Sequence, residues 1–283
     1  MSGTLYLCAT PIGNLGDITA RVLSTLAAVD VIAAEDTRNT IRLLNHFDIH
    51  TELTSYHEYN RVEKAQELIR LLSEGRDIAL VTDAGTPAIS DPGQVLVAMC
   101  HEAGIPVTSL PGPSAVITAL SLSGLDSRRF VFEGFLPGKE EKKERKTILS
   151  ALKEEPRTII LYEAPHHLRA LLEDLKEALG EERKLAVCRE LTKKFEEVRI
   201  LTLAEAAAYY AGEEPRGEFV LVIEGLGFDT LLRREQEEWR QMTIPEHVAW
   251  YEGQGVPRKE AMKLAAKDRG VSKSEIYRAL LEK

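Results

Sequence analysis

The sequence predicts an α/β protein built from two α/β domains and a small helical domain at the C-terminal end. Short apolar runs alternate with stretches of helical periodicity as far as Gly225, which is typical of α/β folds. Three of these runs continue directly into loops rich in glycine and proline, at residues 9–19, 82–93 and 110–115. From residue 228 the chain is polar and charged, and its periodic segments predict helices alone.

Length and composition predict a cytoplasmic protein of more than one domain. At 283 residues the chain is long for a single domain, and we predict domains at 1–123, 124–227 and 228–283. No apolar run is long enough to span a bilayer and the N-terminus leads straight into a strand. We therefore expect neither a membrane segment nor a signal peptide. The three cysteines are far apart in apolar segments, which indicates buried thiols in a reducing compartment.

The predicted first domain alternates strands with helices. The apolar run 77–81 is typical of a buried strand, and Gly75 ends the helix before it. Asp17 is placed to cap a helix that begins near Ile18, whereas residues 55–60 form a polar loop with aromatic side chains. Strands are predicted at 4–9, 31–34, 77–81 and 106–110, and helices from about 18 and at 37–47, 61–74, 94–102 and 114–122.

The alternation restarts near Arg129, and the chain then ends in helices. Ser272 and Glu275 form a capping box and Gly270 ends the preceding helix, so the last two helices resemble a helix-turn-helix. Residues 228–242 are predicted as a linker or an exposed helix. Strands are predicted at 130–132, 158–162, 184–188, 197–201 and 218–223, and helices at 140–153, 166–179, 203–210, 244–251, 257–268 and 274–281.

The loop 82–93 is the first candidate for a functional site. It holds two prolines, two glycines and two aspartates directly after a predicted strand. Prolines fix backbone angles, while glycines let a ligand approach the main chain closely. Ligand crevices of α/β proteins form at the carboxyl ends of strands, so three such loops predict one shared crevice; the alternative is a tight connection without a ligand. The loops have neither the G-x-G-x-x-G spacing of a dinucleotide fold nor a P-loop, which argues against NAD and nucleoside triphosphates.

Polar groups outside these loops have two interpretations each. The segment 35–38 (Glu-Asp-Thr-Arg) is either a catalytic cluster or a helix cap with a salt bridge. The charged run 139–146 is either a solvated helix face or a mobile flap that grips phosphate. The adjacent His166 and His167 cannot easily share one ion, and no other ligand has suitable spacing, so we predict no metal.

The basic C-terminal segment contrasts with the rest of the chain. The net charge of −9 argues against bulk attraction to nucleic acid but leaves room for a local basic surface. Nucleic-acid contact and a small packing module both explain such a segment. The candidate RNA-binding cations of the charged run and the C-terminal segment are Lys139, Lys142, Lys143, Lys146, Arg258, Lys259, Lys263, Lys267 and Lys273.

Residues 4–225 resemble one family, the bacterial small-subunit ribosomal RNA methyltransferase I family of the tetrapyrrole methylase superfamily. The resemblance rests on ordered motifs: ATPIGNLGDIT, EDTR, TDAGTPAISDPG, PGPSA, GFLP, YEAPHH, RELTKKFEE and GEFVLVIEG. It implies two α/β domains that hold S-adenosylmethionine in the cleft between them, and a homodimer. It also implies 2′-O-methylation of a cytidine ribose in the decoding region of small-subunit (16S) rRNA, either free or in the assembled subunit.

The resemblance assigns the cofactor to residues from both domains. Glycine and alanine stand where a larger side chain would occlude the ligand. The cofactor-binding residues implied in this way are Pro11, Ile12, Gly13, Asp83, Ala84, Gly85, Thr86, Ala88, Ile89, Ser114, Ala115, Leu161, Tyr162 and Leu191.

Methyl transfer from a sulfonium is an in-line displacement, and a ribose hydroxyl needs help to lose its proton. We predict that Glu35 or Asp36 takes this proton, with His57 as the alternative base. Arg38 and Lys193 are predicted to hold phosphate. An ordinary ion pair explains each of these residues equally well.

Two other functions stay open. A tetrapyrrole C-methyltransferase would share the cofactor pocket, but a porphyrinoid substrate needs no basic C-terminal segment. A ribosome assembly factor without catalytic activity would keep the fold, but it would not need intact small-residue loops around the cofactor.

Overall fold

The computed structural model describes residues 2–138 and 140–281, excluding the side chains of Leu232, Glu235, Gln236, Glu238 and Arg240. Within this range the chain forms two five-stranded sheets followed by four helices. The predicted α/β class with a C-terminal helical segment is confirmed.

The first sheet is parallel, with strand order β3-β2-β4-β1-β5. Helices α3 and α4 cover one face and α1 and α2 cover the other, so the central strand β4 is buried along its whole length. The elements are β1 (Leu5–Cys8), α1 (Ala20–Ala28), β2 (Val31–Ala34), α2 (Thr37–His46), β3 (Glu52–Ser55), α3 (Arg61–Ser73), β4 (Ile78–Val81), α4 (Gln94–Glu102), β5 (Val107–Leu110) and α5 (Ala115–Ser123).

The second sheet is mixed, with strand order β6-β7-β10-β8-β9. β6 and β7 are parallel, and the remaining neighbours are antiparallel. Helices α6, α7 and α8 cover one face. The elements are β6 (Phe130–Phe135), α6 (Lys142–Lys153), β7 (Thr158–Glu163), α7 (Pro165–Leu179), β8 (Lys184–Arg189), β9 (Glu197–Thr202), α8 (Leu203–Gly212) and β10 (Phe219–Ile223).

Helix α5 joins the two halves of the chain. It follows the last strand of the first sheet, but Val116, Ala119 and Leu120 pack on the free face of the second sheet. α5 therefore connects the first sheet to the second sheet through buried apolar contacts. The predicted domain boundary at 124 falls just after this helix and stays a prediction.

The C-terminal segment forms α9 (Phe228–Gln241), α10 (Ile244–Gly253), α11 (Arg258–Arg269) and α12 (Lys273–Leu281). Val248, Ala265 and Ile276 form a separate small core for α10 to α12. Helix α11 ends at Gly270 in the left-handed conformation, as the sequence predicts. Among the described residues, no helix combines the length and apolar character that crossing a bilayer requires.

Three local predictions are wrong for identifiable reasons. The sequence predicts no strand at 52–55, where β3 lies at the sheet edge and offers only Leu53 as an apolar residue. Asp17 lies in a short 3₁₀ turn, and the Thr19 side chain caps α1 instead, by accepting the Val22 N–H. β6 continues past residue 132 because a bulge lets the strand bend and keep pairing.

Candidate active site

The three glycine- and proline-rich loops meet at one edge of the first sheet. We term residues 9–19, 82–93 and 110–115 the first, central and third loops. They follow β1, β4 and β5, which are parallel neighbours, so the loops lie side by side. Thr10 and Gly85 exchange two backbone hydrogen bonds of 2.9 and 3.0 Å between the first and central loops. The loops thus share one crevice, as the sequence predicts.

Further contacts fasten the loops to one another. The Thr10 hydroxyl donates to the Thr82 carbonyl at 3.0 Å, and the Thr86 hydroxyl donates to the Pro113 carbonyl at 3.3 Å. Gly112 lies against Ala9, so closely that a Cβ at Gly112 would stand 2.8 Å from the Ala9 Cβ. The shape of the crevice therefore depends on bonds between loops that are distant in sequence.

The central loop has strained backbone. Gly85, Ala88 and Ser90 have φ angles of +88°, +68° and +60°. A residue with a side chain is rare in this region and costs about 1–3 kcal/mol there. Such strain persists where the surrounding structure enforces it, and it concentrates at ligand-binding sites.

A cavity of about 380 Å³ lies between the three loops and the second sheet. This volume is in the range of small-molecule sites. The first half of the chain supplies Gly85 and Ala115, and the second half supplies Tyr162 and Val220. A second cavity, of about 860 Å³, lies at the opposite end of the second sheet and is larger but shallower; it is a second candidate for a ligand site. Arginines line it, but Arg157 already bonds Glu155, and Arg183 bonds the Glu224 carbonyl.

Most residues that the resemblance assigns to the cofactor line this cleft. Pro11, Gly13, Ala88 and Leu161 do not line it. Leu161 is buried in the core under α7 and α8, because successive strand residues face opposite sides and Tyr162 takes the cleft side. The residues that do line it are Ile12, Asp83, Ala84, Gly85, Thr86, Ile89, Ser114, Ala115, Tyr162 and Leu191.

Two carboxylates line the same cleft. The Thr82 hydroxyl donates to Glu35 Oε2 at 2.7 Å, and the charge of Glu35 acts on Asp91. Burial, followed by the negative charges of Glu35 and Asp83, raises the pKa of Asp91 to about 6. Asp91 can therefore take up or release a proton near neutral pH.

The wall opposite Asp91 carries Tyr162 and Glu163. Burial and the charge of Asp91 raise the pKa of Tyr162 to about 12, so its phenol is neutral. Burial also raises the pKa of Glu163, whose Oε1 accepts the Ala164 N–H at 2.8 Å and lies 3.8 Å from His167 Nδ1. Over the described ranges, no three His, Cys, Asp or Glu side chains are grouped to hold a metal ion.

The predicted catalytic residues separate into different environments. Glu35 lines the cleft, whereas Asp36 caps α2 and bonds the Arg38 guanidinium at 2.7 Å. Hydrogen bonds from Arg38 lower the pKa of Asp36 to about 2, which makes Asp36 a weak base. The Arg38 side chain is 86% exposed. His57 lies outside the cleft lining, and its buried Nδ1 has no partner among the described residues.

Lys193 connects the first loop to the second sheet. Its Nζ bonds Glu190 at 2.8 Å and Glu218 at 2.9 Å. Its aliphatic stem covers Gly13, where a Cβ would stand 2.4 Å from Lys193 Cγ. Two carboxylates of the second half already neutralise this ammonium. Together with the contact between the Lys193 stem and Gly13, these ion pairs link the two halves of the chain.

Sequence reasoning omitted five of the residues that line the cleft. Asp91 has a local signal, because it lies in the same motif as Asp83 and between strained or rigid neighbours. Phe135 has no local signal in the sequence, because the side of the sheet that it faces depends on a β-bulge in β6. The resemblance assigns backbone contacts with adenine to residues 217–221, and Glu163 is among the polar strand-end residues that we expect to face the cleft. The lining residues without an assignment from the sequence are Ser90, Asp91, Phe135, Ala164 and Pro165.

The predicted RNA-binding cations are on the surface. Lys142, Lys143 and Lys146 are exposed on α6, and Lys139 lies outside the described residues. In the C-terminal segment Arg258 pairs with Glu252 and Lys263 pairs with Glu260. Lys259, Lys267 and Lys273 are exposed, and within the described ranges they form no ion pair.

Residues 4–207 match the family model of the tetrapyrrole (corrin/porphyrin) methylases. The chain therefore belongs to the tetrapyrrole methylase family. The fold agrees with this: a Thermus thermophilus uroporphyrin-III C-methyl transferase complexed with S-adenyl homocysteine aligns with a TM-score of 0.54. The alignment covers 82% of this chain and 99% of the other at 18% identity, so it bears on the fold alone.

Within that family, the chain belongs to the group of ribosomal RNA small subunit methyltransferases I. It is 48% identical to the protein of that name from Synechocystis sp., over 99% of this chain and 98% of the relative. It is 49% identical to the one from Halalkalibacterium halodurans, over 97% of this chain and 93% of the relative.

Proposed function

We propose that the chain uses S-adenosylmethionine to methylate small-subunit rRNA, at the 2′-hydroxyl of a cytidine in the decoding region. The observation that carries the proposal is a single cleft between both halves of a chain that is 48–49% identical to ribosomal RNA small subunit methyltransferases I. The nucleotide and the ribose oxygen follow from the motif resemblance.

The residues of the cleft fit S-adenosylmethionine. A Cβ at Gly85 would stand 3.5 Å from Ile12 Cγ2 and 3.9 Å from the Pro113 carbonyl oxygen, so glycine keeps this space open for a ligand. Ala115, Leu191 and Val220 offer apolar surface to a purine. Bound there, S-adenosylmethionine would supply a methyl group on a cationic sulfur. The acidic side chains of the cleft favour that charge.

We assign proton handling to Glu35 and Asp91. Glu35 faces the cleft, whereas Asp36 is held by Arg38, which supports Glu35 over Asp36. Asp91 lines the cleft together with Glu35 and has a pKa of about 6, so it is ionised at pH 7.5 yet is a stronger base than an exposed carboxylate. Asp91 then receives the hydroxyl proton of the bound ribose.

The test uses small subunits and free rRNA with S-adenosylmethionine labelled in the methyl group. We expect label on a cytidine that resists alkaline hydrolysis, because a 2′-O-methyl group removes the nucleophile of that cleavage. Label on an added uroporphyrinogen in place of RNA would support a tetrapyrrole methyltransferase. Saturable subunit binding without label would support an assembly factor.

We assign RNA contact to exposed lysines of α6 and the C-terminal segment. Lys259, Lys267 and Lys273 have no ion pair within the described ranges, which leaves their charges available to phosphate. Replacing these three by alanine should lower the slope of log K against log salt by about 2 to 3 for RNA binding. Arg70→Ala, an exposed cation of α3, is the matched control. An unchanged slope in the triple variant would refute this assignment.

We further infer a homodimer. Ile117 and Leu122 of α5 and Ile200 of the adjacent β9 expose apolar surface, which supports association. Light scattering of the purified protein is expected to give twice the chain mass of 31.5 kDa. A mass of one chain would refute the dimer.

A further inference from the structure

Phe135 is a large aromatic side chain at the mouth of the cleft. It is 58% exposed and lines the cavity together with Tyr162. The two ring centroids are 5.5 Å apart with the planes inclined at 60°, and Phe132 contacts the same tyrosine at 4.9 Å. One edge of Phe135 is therefore supported by protein while much of the ring stays open.

A backbone irregularity points Phe135 into the cleft. Residues three apart in a regular strand face opposite sides of a sheet, yet Phe132 and Phe135 contact the same tyrosine. The pairing of β6 with β7 shifts register between Phe132 and Gly134, and Gly134 has φ of +66°. This bulge inserts the extra residue that turns Phe135 to the cleft side. Without it, the ring would face the core under α6 and α7.

The bulge also brings the ring close to the proposed base. A Cβ at Gly134 would stand 3.1 Å from Ser90 Oγ, so β6 touches the strained part of the central loop. Asp91 follows Ser90 directly, and its charge acts on Tyr162, the ring that supports Phe135. The open aromatic surface and the titrating carboxylate thus lie at adjacent places in one cleft.

Aromatic side chains bind single-stranded RNA by stacking on splayed bases, and enzymes that modify a nucleotide take it out of its helix. We propose that Phe135 stacks on the unpaired base of the target nucleotide and so holds the ribose hydroxyl against Asp91 and Glu35. The inference rests on the proposed function and adds to it the element that recognises an unpaired nucleotide.

The test compares Phe135→Ala, Phe135→Leu and Phe135→Trp with the wild-type chain. Methyl transfer to small subunits gives kcat/KM for RNA, and calorimetry gives the Kd of S-adenosylmethionine. Removing one base stack lowers affinity by about 5- to 150-fold. We expect a decrease of that size in kcat/KM for the Ala and Leu variants. Phe135→Trp keeps an aromatic face and should retain most activity. The Kd of S-adenosylmethionine should stay unchanged in all three.

Phe130→Ala is the matched control, because Phe130 is 36% exposed at the other end of the same strand. Thermal unfolding of each variant identifies any that fail to fold. The inference is overturned if Phe135→Ala equals Phe130→Ala in kcat/KM, if Phe135→Leu is fully active, or if donor affinity falls in parallel. If wild-type protein methylates no RNA, the proposed function fails and this inference falls with it.

Discussion

At the scale of the residue, Asp91 occupies an unfavourable place for a carboxylate. It is half-buried and faces the charges of Glu35 and Asp83. These surroundings do not stabilise an ionised aspartate. Residues that lower stability in this way are expected where function needs them, because activity and stability select different side chains.

Asp91→Asn should make the protein more stable and nearly inactive. The folded-state pKa of about 6 lies above the unfolded value near 3.8, so the charged form destabilises the fold above pH 6 and the penalty vanishes below pH 4. We expect a gain of about 1–2 kcal/mol in the free energy of unfolding at pH 8, discounted for partial exposure, and none at pH 4. Urea denaturation at both pH values measures it.

The same variant should lose methyl transfer about 100-fold or more. In the wild-type chain the rate should fall as pH drops through about 6, because Asp91 then becomes protonated. Asp229→Asn, at an exposed aspartate of α9, is the control for both measurements. A destabilised Asp91→Asn variant with a wild-type pH profile would remove Asp91 from proton handling.

At the scale of the element, the cleft depends on how three loops interlock. Each loop is short, and the bonds that shape it come from its neighbours: Thr10 to Gly85, and Thr86 to Pro113. Gly112 packs against Ala9, and a Cβ at Gly112 would stand only 2.8 Å from the Ala9 Cβ, so no further methyl group fits there. A change in one loop should therefore alter the whole cleft.

Gly112→Ala should destabilise the protein by about 1–3 kcal/mol and weaken binding of S-adenosylmethionine, because the new methyl group pushes the third loop from the first. Combining it with Ala9→Gly moves the methyl group to the opposite partner and should restore much of both losses. Thermal unfolding and calorimetry of the two single variants and the double variant give the coupling. Additive losses would show that this contact does not control the cleft.

At the scale of the whole molecule, the C-terminal helices form a unit with its own buried polar centre. His247 is fully buried and stacks on Trp239 at 4.0 Å. Its Nδ1 accepts from Arg269 Nε at 3.0 Å, and its Nε2 lies 3.4 Å from Asp268. Burial and the charge of Arg269 lower the pKa of His247, so the imidazole is neutral at pH 7.

Acid should loosen the C-terminal helices before the rest of the protein. The folded pKa of His247 lies below its ordinary value of 6.5, so the unfolded form binds more protons and stability falls as pH drops below about 6.5. Both tryptophans of the chain, Trp239 and Trp250, lie in this segment, so their fluorescence reports it. His247→Gln should reduce the change in tryptophan fluorescence between pH 7.5 and 5.5. His50→Gln, at a side chain 77% exposed, should not.

The sequence predicts much of the fold because its signals are local. Apolar runs, glycine stops and capping residues locate nearly every helix and strand to within a few residues. β3 is not predicted from the sequence, because an edge strand needs little apolar surface and therefore shows a weak apolar pattern. Most residues that the resemblance assigns to the cofactor line one cavity, and their binding role stays a prediction.

What the sequence by itself determined is the set of elements, the loops that build the cleft and the family, since these depend on residue types and their spacing. The tertiary structure alone decided which side chains meet. It placed Asp91 near Glu35 in one cleft, and it turned Phe135 toward Tyr162 at a bulge. Such contacts join residues far apart in the chain, and they depend on strand order and register, which local periodicity does not specify.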